Sequence, residues 1–132
     1  MSKVKLKYHW PWILWLVVIF LLTGVPGNYI PNVITFSDWL RPDKIVHLIM
    51  FGVLGFLFVR GLVKQYSTSS VRYILVIAFI IGVIIGGLTE IMQDYIFTGR
   101  DGNVFDFYAD SIGSIIGITA FRFVYRKKSI NS

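Results

Sequence analysis

Four long apolar runs, separated by polar or proline- and glycine-containing segments, set the pattern of this chain. They occupy about residues 10–24, 45–63, 71–92 and 105–125. Each approaches the ~20 residues that a helix needs to cross a ~30 Å hydrocarbon core. The pattern therefore predicts an all-α fold, a polytopic transmembrane bundle of about four spans forming one integral membrane domain over residues 1–132. Residues 24–42 hold Pro26, Gly27, Pro31 and Pro42, which mark a connection rather than a helix. Within it, Ile34 to Leu40, including Phe36 and Trp39, suit the membrane interface. Gln65 to Ser70 and Thr98 to Asn103 read as short polar loops.

The first run needs care, because Lys3, Lys5 and Lys7 before an apolar stretch resemble a signal peptide. It ends Thr23-Gly24-Val25-Pro26-Gly27, without the small-residue cleavage pattern. We read it as an uncleaved first span, a cleaved signal being the alternative. Trp10, Trp12 and Trp15 are expected to anchor it at headgroup level, with His9 as a juxtamembrane neighbour.

Composition strengthens the membrane reading. The chain has 132 residues, 55% of them hydrophobic, and a mean hydropathy of +0.68. A soluble domain of this size could not cover so much apolar surface. Absence of cysteine excludes disulfides and thiolate metal sites. A net charge of +6 on a soluble surface would suggest nucleic acid. Here the basic residues flank the apolar runs, so membrane lipids are the expected partners and nucleic acid is not.

Charge also orients the spans. Ten of the thirteen basic residues lie at the N-terminus, the second connection and the C-terminal end, leaving Arg41, Lys44 and Arg100 on the other side. All seven carboxylates, Asp38, Asp43, Glu90, Asp94, Asp101, Asp106 and Asp110, share that other side, giving it a net charge of −4 with His47 neutral. Positively charged flanks stay in the cytoplasm. Both termini and the second connection are therefore expected in the cytoplasm, and the acidic side outside.

Three polar clusters converge on the acidic side. Asp43 and His47 are four apart, Glu90 and Gln93 three apart, and Asp106 and Asp110 four apart, so each pair shares a helix face. Ionisable groups within spans are costly and usually face a bundle interior or a water-filled cavity. Each has a structural reading beside a functional one. Asp43 favours the positive end of a helix dipole after Pro42. Asp106 stands at capping-box spacing from Asn103. Glu90 can be protonated, or paired with Arg100 or Lys44, to hold the bundle. Gln93 suits a helix–helix hydrogen bond, and Arg100 either a headgroup contact or an anion clamp. Gly82 and Gly86 lie on the stripe leading to Glu90, and Gly113 and Gly117 follow Asp110. Their small-xxx-small spacing predicts close packing of spans three and four, with Glu90 near Asp110.

Asp43-Lys44-Ile45-Val46-His47, with Phe51 and Leu54-Gly55, resembles the first signature of VanZ-like membrane proteins. Glu90-Ile91-Met92-Gln93, Gly99-Arg100, Asp106 and the pair Gly113 and Gly117 resemble the second. The resemblance covers about residues 42–118, and Asp110 departs from it, since the family pattern usually has Asn there. The family takes its name from a protein associated with resistance to the glycopeptide teicoplanin, and the resemblance implies no settled reaction.

Two functional classes fit. In the first, an outer-face pocket recognises a lipid headgroup or lipid-linked cell-wall precursor, with Arg100, Gln93 and Lys44 as binding residues, and so influences glycopeptide susceptibility. In the second, the chain is a hydrolase or transferase acting on a phosphate-bearing lipid. His47 or Glu90 would be the general base, and Asp43, Asp106 and Asp110 orienting groups or ligands of a divalent cation. An acidic cup repels bare phosphate, so that chemistry calls for a cation. No Ser-His-Asp spacing, P-loop or HExxH motif is present. An ion or proton carrier is disfavoured, because spans one and two lack midplane ionisable groups.

Overall fold

The computed structural model describes residues 4–25, 42–67, 70–96 and 102–130, with side chains to 126. Four helices follow one another, α1 (Leu6–Thr23), α2 (Pro42–Gln65), α3 (Val71–Tyr95) and α4 (Val104–Ile130). All four are long and apolar enough to cross a membrane, the span in α4 being Val104–Arg126. Each extends beyond its apolar run, because helical hydrogen bonding continues into flanking polar residues. α2 begins at Pro42, whose fixed φ and missing N–H suit the first helical turn. α3 continues to Tyr95, which keeps Glu90 and Gln93 inside the helix.

α1 runs antiparallel to α2: the Lys5 N–H reaches Gln65 Oε1 at 2.9 Å at one end, and Ile19 joins Met50, Phe51 and Leu54 in a buried cluster further along. Two of the tryptophans expected at headgroup level also serve this packing. Trp15 donates its indole N–H to the Met50 carbonyl at 2.8 Å, and Trp12 sits edge-on to Phe58 at 5.0 Å. Trp12 also donates to His9 Nδ1 at 3.0 Å, and His9 is buried. Trp10 is the one that faces outward. A part-buried indole N–H needs an acceptor, and the bundle provides it.

α2 and α4 are parallel and touch through backbone. A Cβ on Gly113 would collide with the Leu48 carbonyl, and one on Gly117 with the Gly52 carbonyl. Gly82 and Gly86 of α3 face Ser114 and Asp110 of α4. The expectation that both glycine pairs join α3 to α4 is thus corrected: Gly82 and Gly86 do, while Gly113 and Gly117 serve α2. Gly113 is three residues beyond Asp110, which turns it by about 60° on the helix, from the α3 side toward α2.

A second buried cluster, Val59, Val63, Ile74, Ala78, Ile118 and Phe121, fills the end where α2 stops and α3 starts. Because α1 and α3 run opposite to α2 and α4, the starts of α2 and α4 and the ends of α1 and α3 share the other end. Every described carboxylate lies there: Asp43, Glu90, Asp94, Asp106 and Asp110.

Candidate functional site

The parallel register of α2 and α4 sets the site. With glycines allowing backbone contact, residues about 60 positions apart lie at the same depth, and the first two turns of each helix meet side by side. Lys44 Nζ donates to Asp106 Oδ1 at 2.8 Å, and one turn deeper His47 Nδ1 stands 2.9 Å from Asp110 Oδ1. Lys44, His47, Asp106 and Asp110 are all buried, Asp110 completely. Asp43 Oδ2 lies 3.6 Å from Lys44 Nζ and is partly exposed at the rim.

α3 supplies the third wall. Glu90 Oε2 accepts the backbone N–H of Asn103 at 2.8 Å, and Glu90 Oε1 lies 3.8 Å from His47 Nδ1. The Asn103 side chain accepts the Phe105 N–H at 2.9 Å. The capping box expected of Asn103 and Asp106 is therefore completed by a different residue. Asn103 caps α4, but Glu90 from α3 takes its N–H, leaving Asp106 for Lys44. This tie between two helices also places Glu90 beside His47. Of the two partners expected for Glu90, Lys44 is engaged with Asp106 instead, and Arg100 lies outside the described residues.

Thr89 and Ser114 belong to the same polar layer and carried no signal beyond their position next to Glu90 and one turn after Asp110. The Thr89 hydroxyl donates to the Gly86 carbonyl at 2.7 Å, with Asp110 Oδ2 a further 3.5 Å contact. Gln93 is buried, and its amide nitrogen makes none of the helix–helix hydrogen bonds expected of it. Glu90 Oε1 and Ser114 Oγ are likewise buried without a partner. Unpartnered buried polar atoms are uncommon, because each forgoes solvation without recovering it.

Charge counting sharpens this. Lys44 and Asp106 neutralise each other, which leaves His47 with the carboxyls of Glu90 and Asp110. One ligand atom from each of these three lies within 4.8 Å of the others. Two ionised carboxylates this close and this buried repel strongly unless a proton or a cation lies between them. His47 Nδ1 lies 2.9 Å from Asp110 Oδ1, a hydrogen-bond distance, and 3.8 Å from Glu90 Oε1. An imidazole nitrogen with two carboxylate oxygens suits Mn²⁺, Fe²⁺ or Zn²⁺ better than Ca²⁺. This set differs from the Asp43, Asp106 and Asp110 set read along the chain: only Asp110 is shared, because Lys44 takes Asp106 and holds Asp43 at the rim. The His47–Asp110 contact is also the geometry by which a carboxylate orients a general-base imidazole.

A family model described as VanZ/LLP1 matches residues 10–125. The match includes α1, which the motifs over residues 42–118 left out. No curated protein matches the chain, and no solved structure does.

Proposed function

The chain belongs to the VanZ/LLP1 family and is a multi-pass membrane protein, and from that premise we propose that its acid-lined end recognises the phosphate-bearing headgroup of a lipid or lipid-linked cell-envelope precursor. The site faces the outside of a bacterial plasma membrane, a divalent cation held by His47, Glu90 and Asp110 bridges protein to phosphate, and occupancy of the site influences glycopeptide susceptibility. The observation that carries this reading is the convergence of His47, Glu90 and Asp110 from three helices, with Glu90 Oε1 buried and unpartnered. A cation answers the uncompensated charge and converts a surface that repels phosphate into one that attracts it. The excess of basic residues at the opposite end supports the orientation. Gln93 and Arg100 remain the proposed headgroup contacts, whereas Lys44, expected among them, is buried and committed to Asp106.

A second reading rests on His47 and Asp110 alone. An imidazole oriented by a buried carboxylate can accept a proton from water or a hydroxyl, so the same site would serve a hydrolase or transferase acting on a phosphate-bearing lipid. Purified protein titrated with Mn²⁺, Mg²⁺ and Zn²⁺, with and without lipid phosphates, separates the readings. Cation-dependent thermal stabilisation that increases with lipid phosphate, without turnover, supports recognition. Phosphate or headgroup release that disappears in His47→Ala supports catalysis. Unchanged melting with every cation, in wild type and Glu90→Gln alike, removes the cation from both.

A further inference from the structure

At the end of the bundle opposite the acidic site, a cavity of about 300 Å³ lies between the first turn of α3 and the last turns of α4. Arg72, Arg122 and Arg126 line it together with Ser70, Val71 and Leu75. None of the three arginines makes an ion pair among the described residues. The sequence explains why: no Asp or Glu occurs between Lys44 and Glu90, or after Asp110. Along α3 alone, Glu90 is eighteen residues from Arg72, about 27 Å at 1.5 Å per residue. Three guanidinium groups around one concavity, with no Asp or Glu of the described residues beside them, make it a favourable place for an anion from outside.

We propose that this cavity binds the phosphate of an anionic phospholipid, in the leaflet opposite the one the acidic site faces. Guanidinium groups pair with phosphate oxygens in a bidentate manner, and several on one anion offset the repulsion among them. Ser70, the residue capping α3, makes no side-chain cap hydrogen bond, so its hydroxyl is available to the same phosphate. The surroundings select a lipid over free phosphate. Val71 and Leu75 line the cavity, and directly along the helices Tyr73, Val76 and Ile80 of α3 and Phe123 and Val124 of α4 face outward. The arginines therefore stand at the edge of an outward apolar surface, as a ligand with a charged head and acyl chains requires. This assignment stands apart from the proposed function, since it uses neither the acidic cluster nor the direction in which the bundle is inserted.

The test is phospholipid retention by the full chain, read by native mass spectrometry from micelles supplied with phosphatidylglycerol or phosphatidylcholine. Phosphatidylglycerol is expected to be retained, and each of Arg72→Gln, Arg122→Gln and Arg126→Gln is expected to weaken it about fivefold. Arg60→Gln, a charge change in α2 outside the cavity, is expected to leave it within twofold. Ser70→Trp, which narrows the cavity and keeps every charge, is expected to abolish retention. The arginines are exposed at helix ends, so helical content by circular dichroism should remain that of wild type, and a variant that loses it is replaced by the Lys substitution at the same arginine, expected to weaken retention less. Equal loss in Arg60→Gln, full retention in Ser70→Trp, or equal retention of phosphatidylcholine overturns the assignment. Displacement of phosphatidylglycerol by millimolar inorganic phosphate overturns the lipid in favour of a free anion.

Discussion

The imidazole of His47 on α2 and the carboxyl of Asp110 on α4 lie 2.9 Å apart with Asp110 wholly buried, although 63 positions separate them. The pair exists because two parallel helices approach until backbone meets backbone at Gly52, Gly113 and Gly117. Asp110 also stands where the resembled family pattern usually has Asn. Asn retains a carbonyl acceptor for His47 while removing a buried charge. Asp110→Asn is therefore expected to melt at the same or a higher temperature without added metal, and to lose the stabilisation that Mn²⁺ or Zn²⁺ confers on wild type. Differential scanning fluorimetry with a metal titration reads both. A metal response equal to wild type would show that Asp110 is not a ligand.

Lys44 and Asp106 form the other buried contact between the starts of α2 and α4, at 2.8 Å. Removing one partner strands a charge, which costs about 3–5 kcal/mol, whereas replacing both with apolar groups is often neutral. Lys44→Met is expected to destabilise strongly, and Lys44→Met combined with Asp106→Leu to recover most of the loss. Reversible unfolding in mixed micelles measures the cycle. Additive losses in the double variant would mean that each residue contributes through other neighbours.

These pairings show which part of the site can be read along the chain. The four-residue spacings of Asp43 with His47 and of Asp106 with Asp110 are visible because each lies within one helix. That His47 pairs with Asp110, and Lys44 with Asp106, depends on the α2–α4 register, which local periodicity does not contain. Glu90 stood out by its position at the end of an apolar run, yet its partner is a backbone N–H, which has no identity in a sequence. The four spans were legible because lipid demands long apolar helices whatever they pack against. The contacts of His9, Trp12 and Trp15 were not, because the neighbouring helix they pack against leaves no mark at their own positions.

The two glycine pairs are expected to respond differently. A methyl at Gly113 or Gly117 meets backbone carbonyls of α2, which yield only if the helices separate, and overpacking of this kind costs about 1–3 kcal/mol or more. A methyl at Gly82 meets the Ser114 hydroxyl at 2.8 Å, which can rotate away, and Ser114 Cβ at 3.2 Å, which must give by a few tenths of an ångström. Gly113→Ala and Gly117→Ala should lower the melting temperature markedly, and Gly82→Ala only slightly. A cysteine pair at Gly52 and Gly113 should crosslink more readily than one at Gly86 and Gly113. The reverse order would place Gly113 against α3.

Orientation has a direct readout. A reporter inserted after Gly99 is expected to report an extracytoplasmic location, and one inserted at Ser67 a cytoplasmic one, because ten of thirteen basic residues lie on the latter side. A cytoplasmic signal after Gly99 would move the acidic site to the inner leaflet, and the proposed headgroup would have to be sought there.

Glu90 separates architecture from ligand binding, because its two oxygens do different things. Oε2 holds the Asn103 N–H at the start of α4, and Oε1 is buried without a partner, 3.8 Å from His47. Gln in its place keeps a carbonyl oxygen for the Asn103 N–H and gives up the charge. Ala gives up both, and loss of a capping acceptor costs about 1 kcal/mol. If Oε1 is a cation ligand, Glu90→Gln should fold like wild type and fail to respond to Mn²⁺ or Zn²⁺, whereas Glu90→Ala should also melt earlier. Metal binding requires deprotonated ligands, so the wild-type response should grow as pH is raised from 5 to 8 and be flat in Glu90→Gln. Melting curves across that pH range, with and without metal, decide the matter. A pH-dependent metal response that survives Glu90→Gln would leave Glu90 with its capping role alone and show that the cation is held without it.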